Sequence, residues 1–205
     1  MSNSTTTKKR KISKKVNKKN LNKYFAAGVN SKDWYVKSHA KIKELFPKNW
    51  ALVCDILAIT SINCTVKQNV NLTFQALELI DNNKNINELR SLPIVKQKLA
   101  QLLQNGNYTG RKINNFAQNL KGNFNAVTVD RWIYRAFFDN CNATTNKYNL
   151  AETEIKRLAK MHNYTPASVQ AILWEGVKAL DGQNVQQKDA KDFFYYMELH
   201  LQTKF

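Results

Sequence analysis

The sequence predicts an all-α fold, and three observations carry that prediction. Apolar residues recur at helical spacing in one segment after another. Prolines number three and glycines six in 205 residues, too few for the many turns of a β-sandwich. The β-branched run Ala126-Val127-Thr128-Val129 has no second run to pair with. With 43% apolar and 23% charged residues, a single helical domain over residues 23–205 has the material for a core.

Residues 1–22 read as a disordered basic arm. Nine of the 32 Lys and Arg lie in the first 23 positions, where there is no acid. Lys8, Lys9, Arg10, Lys11, Lys14 and Lys15 are its candidate phosphate contacts. The same stretch, KKRKISKKVNKK, has the composition of a nuclear localisation signal, and equally of a tail that binds DNA or RNA by releasing counterions. Order is expected from Tyr24.

Ser31 reads as the N-cap of a helix in which Trp34, Ser38, Lys41, Ile42 and Leu45 follow at helical spacing, up to Pro47. The next helix carries Trp50, Leu52, Val53, Ile56, Leu57 and Ile59, apolar on more than one side, and is expected at the centre of the core. It stops at the polar break Thr60-Ser61-Ile62-Asn63. A third helix runs from about Thr65 to Ile80. Asn87–Arg90 suits a single turn, and Pro93 suits the first position of a helix over Ile94–Leu103. Helices are then predicted from Arg111 to Leu120 and from Asp130 to Phe138. Residues 139–148 read as a polar loop, with Asn149 capping a helix that holds Ala151, Ile155, Leu158 and Ala159. Thr165-Pro166 opens a helix with Val169, Ile172, Leu173, Val177 and Leu180. After a loop at Gly182, Lys188–Leu201 forms an aromatic-rich last helix. Trp132, Trp174 and the run Phe193–Tyr196 are expected in the core.

The net charge of +17 narrows the function classes. The chain stays basic even without its arm, which points to a polyanionic partner, nucleic acid first and duplex DNA in particular. A membrane surface fits less well, because the arm lacks an apolar face and no run of 18 apolar residues exists. The heavy use of Lys and Asn suits an AT-rich coding genome. Cys54, Cys64 and Cys141 sit far apart in or beside apolar stretches, as free thiols of a reducing compartment do. No cysteine spacing suits a metal, His39, His162 and His200 show no partner pattern, and no cofactor is expected. A soluble, intracellular protein is expected, of the cytoplasm or nucleoid, of the nucleus in a eukaryotic host, or of a virion.

The chemistry-bearing stretch is Gly106–Phe138. In Tyr108-Thr109-Gly110-Arg111-Lys112 a glycine just before a helix lets the backbone approach a phosphate, which meets unpaired helix N–H groups and two cations. Asp130 follows the β-branched run and can cap the next helix, an interaction worth about 1 kcal/mol. Lys112 and Asp130 stand 18 positions apart, each at the mouth of a helix.

These residues resemble the helix–hairpin–helix DNA glycosylase superfamily, of the endonuclease-III-like kind. Gly110-Arg111-Lys112-Ile113-Asn114-Asn115 is similar to the end of that family's hairpin and the helix after it. Val129-Asp130 before Arg131-Trp132-Ile133-Tyr134-Arg135 looks like its aspartate motif, at the family's lysine–aspartate spacing. Trp50–Val70 is similar to the family's buried helix and the loop that approaches DNA, and Ala167–Trp174 to a late core helix. The resemblance spans about residues 48–180. It implies a base-excision glycosylase and abasic-site lyase that flips its target nucleotide. Lys112 would attack the sugar and form a Schiff base, while Asp130 would orient or deprotonate it and stabilise the cationic sugar. Tyr108, Gly110, Arg111, Thr60, Ser61 and Asn63 would lie against DNA.

The sequence departs from the family at several points. Tyr108 stands where the hairpin has a glycine, no Leu-Pro-Gly run precedes it, the middle of the fold is short, and Arg131 follows the aspartate. A second register also fits, in which Gly106-Asn107-Tyr108 matches an earlier helix start and Lys112 is not the catalytic lysine. The pattern suits a divergent member of the kind found in phage or mobile-element genomes. A non-enzymatic nucleic-acid-binding or packaging protein, virion- or chromatin-associated, is the alternative; there the arm dominates and Asp130 only caps.

Overall fold

The computed structural model describes residues 19–138, 142–181 and 193–202 of the chain. Ten α-helices and two 3-10 turns form there, with no strand among the described residues, in agreement with the all-α class. In order they are α1 (Leu21–Gly28), a 3-10 turn at Val29–Ser31, α2 (Trp34–Leu45), α3 (Trp50–Thr60), α4 (Val66–Asp81), a 3-10 turn at Ile86–Glu88, α5 (Pro93–Asn105), α6 (Arg111–Leu120), α7 (Arg131–Phe137), α8 (Thr145–His162), α9 (Pro166–Asp181) and α10 (Phe193–Gln202). Among the described residues no helix is long and apolar enough to cross a membrane.

The buried apolar residues separate into two cores. The first gathers α2 to α6 with α10, centred on α3, whose Val53, Cys54, Ile56, Leu57, Ala58 and Ile59 are fully buried. The second gathers α1, α7 and α8 with Val127 and Val129. Helix α9 serves both: Ala167 and Ala171 face the first core, while Val169, Leu173 and Val177 face the second. A long helix that alternates small and branched residues can present two apolar faces in this way.

Local chemistry sets the helix ends. Thr65 and Gln68 form a reciprocal capping box at α4. Pro93 occupies the start of α5, and Gly106 ends it at φ +68°, a left-handed turn that glycine adopts without strain. The Val127–Val129 run finds its hydrogen bonds outside any sheet. The Tyr148 hydroxyl donates to the Val127 carbonyl at 2.8 Å and accepts from the Val129 N–H at 3.3 Å, and Asn115 Nδ2 donates to the same carbonyl.

Several expectations need correction. A helix, α1, begins at Leu21, inside the expected arm, because Leu21 and Tyr24 bury themselves against the second core; the rest of the arm, with its six candidate contacts, lies outside the described residues. Ser31 does not cap α2: it ends a 3-10 turn, and the helix starts at Trp34 with no side-chain cap. Helix α8 starts at Thr145, capped by the Thr144 hydroxyl, rather than at Asn149. Burial of Tyr148 and its bonds to the 127–129 run draw the helix back into the expected loop. The last helix starts at Phe193, and residues 182–192, like Cys141, lie outside the described residues.

Candidate functional site

The seam between the two cores holds the candidate site. Lys112 stands in the first turn of α6, on the side of the first core; Asp130 stands at the start of α7, on the side of the second. The 121–130 connection, pinned by Asn115 and Tyr148, returns the chain so that the two residues line the same cavities.

One cavity is a groove of about 840 Å³ between the α3–α4 loop, the hairpin before α6 and the start of α7. Its charged lining residues are Lys98, Arg111, Lys112, Arg131 and a single carboxylate, Asp130. The other is an inner chamber of about 160 Å³, walled by Trp34, Phe116, Trp132 and Trp174. Ser61, Cys64, Thr65, Lys112, Asp130 and Trp132 line both, so the chamber opens off the groove at the lysine and the aspartate.

Each group is held. The Lys112 amine donates to Ser61 Oγ at 3.1 Å and lies 5.8 Å from the Phe116 ring. Burial pushes its pKa below the ordinary lysine value, with Asp130 and then Cys64 pulling the other way. Asp130 uses both oxygens. Oδ1 accepts from the N–H groups of Trp132 and Ile133, capping α7, and Oδ2 accepts from the Trp174 indole N–H at 2.9 Å. Burial raises the Cys64 thiol to about 11; its Sγ donates to the Thr60 carbonyl. A half-buried amine whose pKa burial lowers, in an aromatic pocket that a fixed carboxylate also lines, has the makings of a nucleophile and a base.

The loop before α6 is anchored on both sides. Tyr108 is buried, and its hydroxyl donates to Asp55 Oδ1 at 2.8 Å; Asp55 also pairs with Lys121 at 2.6 Å. Lys98 donates to the Thr109 carbonyl and hydroxyl. Gly110, at φ +122°, opens α6 with no side-chain cap, which leaves the first N–H groups of that helix without a side-chain acceptor.

The expected DNA contacts divide accordingly. Gly110, Arg111, Ser61 and Asn63 line the groove with Lys112 and Asp130. Arg111 stacks 4.2 Å over the Tyr148 ring and pairs with Glu152 and Asn149 on α8, so part of its charge is already met. Thr60 does not face the groove: it is fully buried, its hydroxyl bonded to Ile56, Asn69 and Thr73. The Tyr108 side chain likewise points inward, where its hydroxyl is anchored to Asp55 on α3. Trp132 and Trp174, expected in the core, are half-buried walls of the chamber. Tyr35, Asn69 and Gln170 are chamber residues that sequence reasoning passed over. The only signal for them was spacing: Gln170 and Trp174 are i, i+4 on one face of α9.

A family model described as a family of unknown function (DUF7178) matches residues 2–179. No curated protein and no solved structure matches the chain.

Proposed function

The chain belongs to that family of unknown function, and we propose that it is a DNA-binding protein of the helix–hairpin–helix glycosylase type, a base-excision glycosylase and abasic-site lyase. One observation carries the reading: Lys112 and Asp130, from different helices and different cores, line both the basic groove and the aromatic chamber that opens from it.

The groove's cations and the uncapped N–H groups of α6 hold the duplex backbone. One nucleotide unstacks and its base enters the chamber. Asp130 takes a proton from Lys112 as the lysine nitrogen attacks the sugar C1′ carbon. The glycosidic bond breaks, and its electron pair leaves with the base, which gains a proton. The sugar ring then opens at its C1′–O bond to give a Schiff base on Lys112. Loss of a C2′ proton expels the 3′ phosphate with the C–O electron pair, and water frees the lysine.

The packaging reading is favoured by a different observation, that both Asp130 oxygens are already engaged. Each carboxylate oxygen has two lone pairs, so capping leaves room for a second role. Borohydride treatment of the full chain with an abasic duplex separates the two. A covalent adduct that Lys112→Ala abolishes supports the lyase; tight duplex binding with no adduct and no base release across a damage panel leaves the packaging reading instead.

A further inference from the structure

The chamber is lined by a buried residue, Gln170, only half of whose amide is met by protein. Gln170 is 4% exposed, and its Oε1 accepts from the Tyr35 hydroxyl. No protein acceptor meets its Nε2, and the residue lines the chamber. Asn69 is 7% exposed and repeats the arrangement: Oδ1 takes the Thr60 hydroxyl at 2.7 Å, and Nδ2 is left over. Donors that face the chamber and no protein acceptor are left for water or a ligand to meet, so the chamber favours a ligand that supplies acceptors.

We propose that Gln170, seconded by Asn69, reads the base, and that the chamber takes a planar one-ring base presenting carbonyl acceptors, of the uracil or thymine type. The proposal rests on the base-extrusion reading above. Size selects one ring: a cavity of about 150 Å³ holds a benzene, and this one is about 160 Å³. A fused two-ring base would have to reach back through the opening into the groove. Shape selects flatness, because Trp34, Phe116, Trp132 and Trp174 offer ring faces and edges that favour a planar partner over a saturated, puckered one. Hydrogen bonding selects the edge. Two amide donors meet carbonyl oxygens well, whereas the exocyclic amine of cytosine or adenine sets donor against donor.

The test uses the full chain and duplexes that carry one uracil, thymine, cytosine, adenine or guanine in a mispair. Uracil and thymine duplexes are expected to bind at least about tenfold more tightly than the cytosine and purine duplexes, the penalty for an unmade buried hydrogen bond. Gln170→Leu should erase that preference while borohydride trapping on an already abasic duplex continues, since no base remains to be read. Gln170→Glu keeps the volume and turns the free donor into an acceptor; it should move the preference toward cytosine, and its circular dichroism melting curve checks the fold. A purine preference, or a preference that survives both substitutions, overturns the proposal. Loss of trapping by the unmodified chain on abasic DNA overturns the parent reading instead, so the two failures are distinguishable.

Discussion

At the scale of the residue, Lys112 and Asp130 each serve structure and site together. Asp130 caps α7 and holds Trp174, a stabilising role that asks nothing of a substrate. Lys112 differs, since burial works against its charge and a hydroxyl is its one hydrogen-bond acceptor. A base whose pKa falls on folding binds fewer protons in the native state. Its destabilising effect is full below the folded pKa and fades as pH rises toward the ordinary lysine value. Two results are expected. In a ¹³C-dimethyl-lysine titration by NMR, Lys112 loses its proton at a lower pH than the exposed lysines. In Asp130→Asn it falls further, because the carboxylate opposes the effect of burial; an unchanged or higher value would show that the two charges do not feel each other. The asparagine still caps α7 but sets its amide N–H against the Trp174 indole N–H, so the melting temperature should fall by roughly 5 °C.

At the scale of the element, the crossing of α1 on α9 is the tightest contact described. A Cβ placed on Gly176 would lie 1.8 Å from the Tyr24 carbonyl oxygen, and one on Gly28 would lie 1.9 Å from the Ile172 carbonyl oxygen. These neighbours are backbone, so the helices must part to admit even a methyl group. Gly176→Ala gains about 1 kcal/mol in helix propensity and loses up to about 3 kcal/mol to overpacking. The overpacking wins, and thermal melting should fall by roughly 5 °C. A melting temperature at or above that of the unmodified chain would mean that α1 is not seated as described. The crossing also explains why α1 was hidden in the sequence. Its eight residues give barely two turns in which a period could be read and follow a lysine run, and their helical state depends on a partner more than 100 positions away.

At the scale of the whole molecule, the long helices were legible because burial on one or more faces writes a 3.6-residue period, as in α3, α4 and α9. The Lys112–Asp130 spacing was legible too, since hairpin, helix and return strand-like run are contiguous in sequence. The chamber was not. Its walls come from α2, α6, α7 and α9, and no local pattern marks Tyr35 or Gln170 as facing a cavity. The direction of Tyr108 was hidden for the same reason, because Asp55 lies 53 residues away. The basic character of the groove leads to a prediction at this scale. Deleting residues 1–18 should lower the salt dependence of DNA binding without removing it. Lys98 and Arg131, the groove cations that neither pair with an acid nor serve as the nucleophile, leave a log–log slope of about −2. A deletion that abolishes affinity would assign all binding to the arm.

Helix α9 gives one wall to each core and lines the chamber at their seam. Neither core can melt while the other keeps its wall intact, so the two halves share a single cooperative transition. On the function proposed above, a base lodged in the seam would act as a clasp. Its binding free energy would be felt by both halves at once, and occupancy of a space no larger than one aromatic ring should slow the opening of amides in both cores.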